Sequence, residues 1–358
     1  MSQKKINIII VLPTLLPGGA ERVLTFVADN IDKQKFHTTL VIIGKQEQAA
    51  YQVDTIETIF FEKPRVLSGV TTLYKYIKKH RPDIVLSAVG HLNIITAYMS
   101  FLFPKIKFVA REVNVLSVLR QYNTHKSSGI MSYIGKRRFN KFDKIICQSK
   151  DMLNDLNSNY KIKQDKLVVI NNPITDGFKL KESTEKSDPI RFITVARLVK
   201  QKGHIRIVEA LGKLSFPFHY TIIGDGPEKE MLFNRIEALG YKDQVSNIPF
   251  TKEVNKYLSE SDVYLQGSFV EGFPNAIIES CMVGTPVVAF NAPGGINEII
   301  EKGINGFIAE SEEDYIEYLN IYNNNGIPAP KTVSDSVNKK YHRDIIINKY
   351  EELFTQLV

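Results

Sequence analysis

The sequence predicts an α/β protein built from two parallel-stranded sheets, and three observations carry that prediction. Strand-like runs alternate with helix-length segments along the whole chain. Most of the strand-like runs are continuous and β-branched, as in strands covered by helices on both faces. The 358 residues suit two domains of about 150 residues each, and a polar stretch at 175–188 divides them. With 43% apolar and 24% charged residues, the chain has enough apolar material for two cores and is not disordered.

In the first half the strands are expected at 6–12, 38–43, 84–88, 107–110 and 144–148. In the second half they are expected at 192–196, 220–224, 263–266 and 286–290. Repeated βα units of this kind imply right-handed crossovers. The longest apolar stretch, 92–103, contains Asn93, Thr96 and Ser100 and is stopped by Pro104. It falls short of the roughly 20 residues a membrane span needs and reads as a core helix. The polar stretch 175–188 reads as a linker. The segment 337–357 reads as a helix, with Ile345, Ile346, Tyr350 and Leu353 on its apolar side.

The first five residues run straight into a strand, with no signal-peptide cleavage pattern. Cys147 and Cys281 lie far apart in apolar segments, so neither a disulfide framework nor a zinc site is expected, and a reducing cytoplasm fits. Lys and Arg total 46 against 39 Asp and Glu, a net charge of +7. That excess fits a mixed surface, a site for anionic substrates or a membrane-facing patch. No RNP, zinc-finger or basic-helix signature points to nucleic acid.

Five segments sit where strands give way to helices. Gly18-Gly19 opens a helix, where paired glycines let backbone N–H groups approach a ligand or simply make a tight turn. Gly224-Asp225-Gly226-Pro227 fails the dinucleotide fingerprint, because Lys229 stands at the third glycine position, and reads first as a sharp turn. Arg197 ends a strand and Lys202 stands at the mouth of the next helix; two cations there can hold a diphosphate, while Lys200 reads as solvated. In the run 267–279, Glu271 and Glu279 are eight apart. Pro274 leaves the first in a loop and the second in a helix, with Ile277 and Ile278 turned to the core. Two such carboxylates can accept sugar hydroxyls or stand exposed. Asn291 to Glu298 brings another glycine pair, Gly294-Gly295, to a helix start.

The seven histidines form no metal-binding spacing and no D-x-D occurs, so no metal is expected. His91 alone follows a strand at its carboxyl end, where it is either a crevice residue or structural.

Taken in order, these motifs resemble the retaining glycosyltransferases of family 4, which have the GT-B fold. The E-x7-E motif is Glu271…Glu279 within E-G-F-P-N-A-x-x-E, R-L-x-x-x-K-G is Arg197 to Gly203, and G-G-A-E-R is Gly18 to Arg22. Gly224–Pro227 and Gly284–Val288 complete the series. The resemblance implies two facing Rossmann-like domains. An acceptor-binding domain would span 1–173, joined by a helix at about 337–358 that crosses back, and a nucleotide-sugar domain would span 174–336. It implies that Arg197 and Lys202 clamp the donor diphosphate and that Glu279 holds the ribose. Glu271 would hold the hexose, helped by backbone around Gly272 and Phe273, with Pro274 and Asn275 in the same segment. Gly18 and Gly19 would approach the phosphates, and His91 would stand near the hexose. Arg111-Glu112-Val113-Asn114 resembles a stretch of polysaccharide-assembly members. The chain reads Ile248-Pro249-Phe250-Thr251 where members commonly carry a glycine after the aromatic residue, which leaves base contacts at Phe250 open; uracil is the family default.

The implied reaction moves a hexose-type sugar from a nucleotide-diphosphate sugar to a saccharide acceptor, with retention and no metal or other cofactor. A lipid-linked acceptor of capsule or O-antigen assembly is the expected partner. The basic aromatic segments 74–79 and 133–141 would then face anionic lipid on the cytoplasmic side of the inner membrane. The alternatives are an epimerase of the same fold and a non-catalytic nucleotide-sugar-binding subunit.

Overall fold

The computed structural model describes residues 4–50, 53, 55–122, 138–182 and 185–358. They fall into two compact α/β units. The first draws on Met1–Leu116, Asn123–Pro173 and Arg343–Val358, the second on Ser117–Tyr122 and Ile174–His342.

The first unit's strands are β1 (Ile6–Leu12), β2 (Phe36–Ile42), β3 (Glu57–Phe60), β4 (Ile84–Ala88), β5 (Lys107–Arg111), β6 (Lys144–Cys147) and β7 (Leu167–Val169). All pair in parallel, in the order β3-β2-β1-β4-β5-β6-β7. Helices described up to Pro173 are α1 (Gly19–Asn30), α2 (Val70–His80), α3 (Gly90–Met99), α4 (Leu116–Tyr122) and α5 (Lys150–Tyr160). The second unit's strands are β8 (Ile190–Val195), β9 (Phe218–Ile223), β10 (Val245–Ile248), β11 (Val263–Gln266), β12 (Val287–Phe290) and β13 (Gly306–Ala309). They too are parallel, in the order β10-β9-β8-β11-β12-β13. Its helices are α6 (His204–Leu211), α7 (Lys229–Ala238), α8 (Val254–Ser259), α9 (Asn275–Val283), α10 (Ile296–Ile299), α11 (Glu312–Asn325) and α12 (Pro330–Tyr341). A last helix, α13 (Arg343–Leu357), belongs to the first unit.

In each sheet the first strand is flanked by the second strand on one side and a later one on the other. Chain direction around the sheet therefore reverses beside β1 and beside β8. At such a switch point the crevice outside the carboxyl ends of the strands is the usual ligand site of an open α/β sheet.

All nine expected strands are present. Four more were not anticipated, β3, β7, β10 and β13, and these are the two edges of each sheet. An edge strand has one neighbour, and these run only three or four residues. They are only partly buried, whereas the equally short interior strands β11 and β12 are buried throughout.

Two further expectations need correction. The segment 337–357 is not one helix. His342 is extended (φ −52°, ψ 141°) and separates α12 from α13. Val337 and Tyr341 lie in the second unit's core, whereas Ile346, Ile347, Tyr350, Leu353 and Phe354 lie in the first unit's. Ile345, expected on the apolar side, is exposed. The chain thus changes units at His342. The polar stretch 175–188 is no free linker either. The Lys181 N–H donates to Val283 O and its Nζ to Ser261 O (2.8 Å) and Thr285 Oγ1 (3.1 Å), and the Ser187 N–H donates to Asp262. Burial pushes the Lys181 pKa down to about 8, against the pull of Asp262. The stretch is polar because it is fastened through backbone and ammonium groups.

The stretch 92–103 does supply a core helix: Leu92, Ala97 and Met99 of α3 are buried. Both cysteines are buried and free. No helix among the described residues is long and apolar enough to cross a membrane.

Candidate functional site

The second unit gathers its candidate residues where β8 and β11 end. Beyond β8 the chain runs through Arg197, whose side chain is exposed, to a short turn at Lys200–Lys202 and then α6. Beyond β11 it runs through Gly267, Ser268 and Glu271 to α9. These two loops touch backbone to backbone. A Cβ on Gly203 (φ +57°) would lie 2.1 Å from Gly267 O, and one on Gly267 would lie 2.4 Å from Gly203 O. The Phe269 N–H donates to Gln201 O at 2.9 Å. Only two glycines permit that approach.

The contact brings Lys202 onto Glu271. Nζ lies 2.6 Å from Oε1 and 2.8 Å from Oε2. Glu271 is 6% exposed, and its Oε1 also accepts from Ser268 Oγ (2.6 Å) and Gln266 Nε2 (2.8 Å). A nearly buried carboxylate is thus fixed by one cation and two neutral donors, as a buried charge requires. The Tyr264 hydroxyl donates to Gln266 Oε1. Its pKa is pushed well up, by burial first and then by Glu271, with Glu279 acting in the same sense. Both carboxylates therefore act on one buried phenol.

Glu279 is the fifth residue of α9, which starts at Asn275 behind Pro274, and it is 7% exposed. Ile277 and Ile278 pack into the core as expected, and the Phe273 ring does too, against Tyr341 at 5.3 Å. Gly272 and Phe273 therefore offer backbone. Gly294 (φ +123°) lets its loop reach the same run: a Cβ there would lie 2.3 Å from Glu271 O, and the Glu271 N–H donates to Pro293 O.

The Gly224–Pro227 turn packs closely on the Arg197 loop. A Cβ on Gly224 (φ +149°) would lie 2.0 Å from Ala196 O, and one on Gly226 would lie 2.3 Å from Leu198 O. The Leu198 N–H donates to Asp225 O, and the Ala196 N–H to Ile223 O. The turn braces the loop that carries Arg197. Pro227 precedes α7, which begins at Lys229, rather than lying inside it. Phe250 lies just beyond β10 and is 67% exposed.

His204, buried in the first turn of α6, was not singled out in the sequence. Its Nε2 lies 3.1 Å from Arg197 O; since a carbonyl only accepts, Nε2 carries the proton. Burial drives the pKa down to about 4, opposed by that hydrogen bond and aided by Lys202, so the ring is neutral at pH 7. Gln266 and Ser268 were also missed. Their signal was two polar side chains at the end of an otherwise apolar strand.

In the first unit, Gly18 caps α1 and Gly19 is its first residue; the Arg22 N–H donates to Gly18 O. The atoms nearest to a Cβ on Gly18 would be those of the Glu21 carboxylate. His91 is the second residue of α3 and is exposed, with its pKa lowered by partial burial. Val89, two residues earlier, holds φ +75°, a strained setting for a β-branched residue.

Behind His91 lies a buried polar network. Ser87 Oγ donates to Asn93 Oδ1, and Asn93 Nδ2 donates to Arg111 O and Glu112 Oε1. Arg111 Nη2 donates to Asn172 Oδ1, while Gln148 Nε2 donates to Glu112 O and Asn172 Nδ2 to Gln148 Oε1. Arg111 is 0% and Glu112 1% exposed, so the Arg111–Asn114 stretch contributes its first two residues to scaffold. Of the two basic aromatic segments, 74–79 lies on α2, and 133–137 lies outside the described residues.

A model of group 1 glycosyl transferases matches residues 177–337, and one of glycosyltransferase family 4 matches residues 17–177. An uncharacterized glycosyltransferase of Haemophilus influenzae is 27% identical, over 86% of this chain and 87% of its own length. The Campylobacter jejuni N-acetylgalactosamine-N,N'-diacetylbacillosaminyl-diphospho-undecaprenol 4-alpha-N-acetylgalactosaminyltransferase is 26% identical, over 83% of this chain and 84% of its own. Among solved structures, Anabaena HepE in complex with UDP and glucose superposes with a TM-score of 0.80 at 18% identity, over 98% of this chain and 99% of that one. The apo lipopolysaccharide outer core galactosyltransferase WaaB superposes at 0.76 and 16%, over 98% and 99%.

Proposed function

Because the chain belongs to the family 4-like glycosyltransferases with the GT-B fold, we propose that it moves a hexose-type sugar from a UDP-sugar to a saccharide acceptor of surface-polysaccharide synthesis. Transfer keeps the anomeric configuration and uses no metal ion. The observation that supports this most is the Lys202–Glu271 pair at the end of the second sheet, with the Arg197 side chain exposed on the same loop as Lys202. An ammonium has three N–H donors, and one carboxylate does not use them all. Lys202 can therefore hold Glu271 and a donor phosphate together.

In this reading Arg197 and Lys202 bind the diphosphate, and Glu279 accepts from the ribose hydroxyls. Glu271 accepts from the hexose, with the N–H groups of Gly272, Phe273 and Asn275 at the start of α9 beside it. Phe250 offers a ring to the base. As the sugar–phosphate bond breaks, the bonding pair leaves with the diphosphate and positive charge grows on the anomeric carbon. The fixed cations stabilise that leaving group. The acceptor oxygen attacks from the same face, and its proton passes to the departing phosphate oxygen.

The choice of UDP is supported by HepE, solved with UDP and glucose. A lipid-linked acceptor is supported by the diphospho-undecaprenol in the Campylobacter enzyme's name. Calorimetry with UDP in EDTA tests the donor site. We expect binding by the wild type and about 10–100-fold weaker binding by Arg197→Ala, the loss of one charge-assisted contact. Equal affinity for UDP in the two proteins would refute the clamp.

A peripheral membrane role is part of the proposal, on the cytoplasmic face. Phe101 and Leu102 are 59% and 62% exposed. Lys141 Nζ stands 4.1 Å over the Phe101 ring, and Tyr74 of α2 meets Phe103 at 5.4 Å. Exposed apolar groups edged by lysines suit an anionic lipid surface. Sedimentation with phosphatidylglycerol vesicles should fall sharply for the double variant Phe101→Ser, Leu102→Ser; unchanged sedimentation would refute it.

A further inference from the structure

Arg206 of α6 lies on the side of the Glu271 loop away from any role assigned above. Its guanidinium carbon stands 3.8 Å over the Phe290 ring and 4.8 Å over the Phe269 ring. Phe290 in turn stacks on buried Tyr315 at 4.2 Å and 9°. The result is a pile of flat groups in the order Tyr315, Phe290, Arg206, Phe269. From inside it, Nη1 donates to Gly267 O at 3.3 Å and Ser268 O at 3.4 Å. Those carbonyls belong to the turn whose next residues are Phe269, one face of the pile, and Glu271. The backbone N–H of Arg206 donates to Gly203 O at 3.0 Å, on the loop carrying Lys202, a bond that does not depend on the side chain.

From this geometry we infer that Arg206 is a positioning residue that sets Glu271 for the sugar half of the donor. The inference rests on the donor site proposed above. Arg206 needs no contact with substrate to act. A planar cation set over two rings has little rotational freedom, and its Nη1 meets two successive carbonyls. Those carbonyls belong to the turn that leads, three residues beyond Ser268, to Glu271, and Ser268 Oγ itself donates to Glu271 Oε1. Arg197, which takes the diphosphate, is held instead by the 224–226 turn and His204. Glu279 is held by α9. Loosening Arg206 should therefore disturb recognition of the sugar and spare recognition of UDP.

The test is calorimetry without acceptor, using UDP, UDP-glucose, UDP-galactose and UDP-N-acetylglucosamine on the wild type, Glu271→Gln, Arg206→Met and Arg206→Lys. Melting curves run alongside. The wild type should bind one UDP-sugar more tightly than UDP, and Glu271→Gln should remove that preference. Arg206→Met, which fills the gap between the rings but cannot donate, should reduce the preference about tenfold while UDP affinity stays within about twofold. Arg206→Lys should recover part of it, because an ammonium reaches the same carbonyls. Equal weakening of UDP and UDP-sugar in Arg206→Met would show a general structural role and overturn the inference. So would an intact preference in Arg206→Met when Glu271→Gln has lost it. A wild type with no preference, or one unaffected by Glu271→Gln, would refute the sugar-site reading itself and the inference with it.

Discussion

At the carboxyl end of the first sheet, side chains tie the loops together: Ser87, Asn93, Arg111, Glu112, Gln148 and Asn172 hydrogen-bond in a buried mesh. At the same end of the second sheet, the main chain does that work. Gly203 lies on Gly267, Gly224 on Ala196, Gly226 on Leu198 and Gly294 on Glu271, each too close for a Cβ. The two solutions leave different things over. In the first unit the polar side chains of the mesh are buried and bonded to one another, although Arg111 keeps Nε and Nη1 buried without a hydrogen-bond partner among the described residues. In the second, the loops are fixed by backbone contact, the Arg197 side chain stays exposed and Lys202 pairs with Glu271, with neutral Gln266 and Ser268 on the same carboxylate. The proposed donor site thus lies where glycines, not charged groups, hold the frame.

Two substitutions can break that contrast. The larger effect is expected from Gly224→Ala. Its Cβ would sit 2.0 Å from Ala196 O, a backbone atom that cannot swing aside. Denaturant unfolding should show a loss of about 3 kcal/mol or more. UDP affinity should fall with it, because the Arg197 loop must shift. A stability within 1 kcal/mol of wild type would mean that backbone crowding is not what holds this loop.

Asn93→Leu should cost less, about 2 kcal/mol, by stripping hydrogen-bond partners from buried Ser87 and Glu112. Because Asn93 belongs to the first unit's mesh, UDP affinity in the folded variant should stay at the wild-type level. A matching loss of UDP binding would erase the distinction between scaffold in the one unit and site in the other.

The same contrast explains what could be read in the sequence. The second unit's glycines and charges are conspicuous residue types at loop positions, so Arg197, Lys202, Glu271 and Glu279 stood out together. In the first unit's mesh only Arg111 and Glu112 stood out; Ser87, Asn93, Gln148 and Asn172 are types common everywhere, and nothing in their spacing joins residue 87 to residue 172. Arg206 was hidden for another reason. Its partners are two backbone carbonyls and two rings that come together only when β11, β12 and α6 are packed. The strands divide likewise. Interior strands were legible because both faces are buried, and the four edges were not.

The placement of α13 bears on how the molecule is made. Although the first unit contributes the earliest residues, its core includes Ile346, Ile347, Tyr350, Leu353 and Phe354, with Phe354 edge-on to Phe36 at 6.3 Å. Domains ordinarily fold as they emerge, the N-terminal one first. Here the early half leaves the ribosome with an apolar flank still open, and the whole second unit must be translated before the helix that covers it arrives. A nascent chain stalled anywhere after Pro173 and before Phe354 would carry that flank uncovered, a natural mark for chaperones to hold and for quality control to remove.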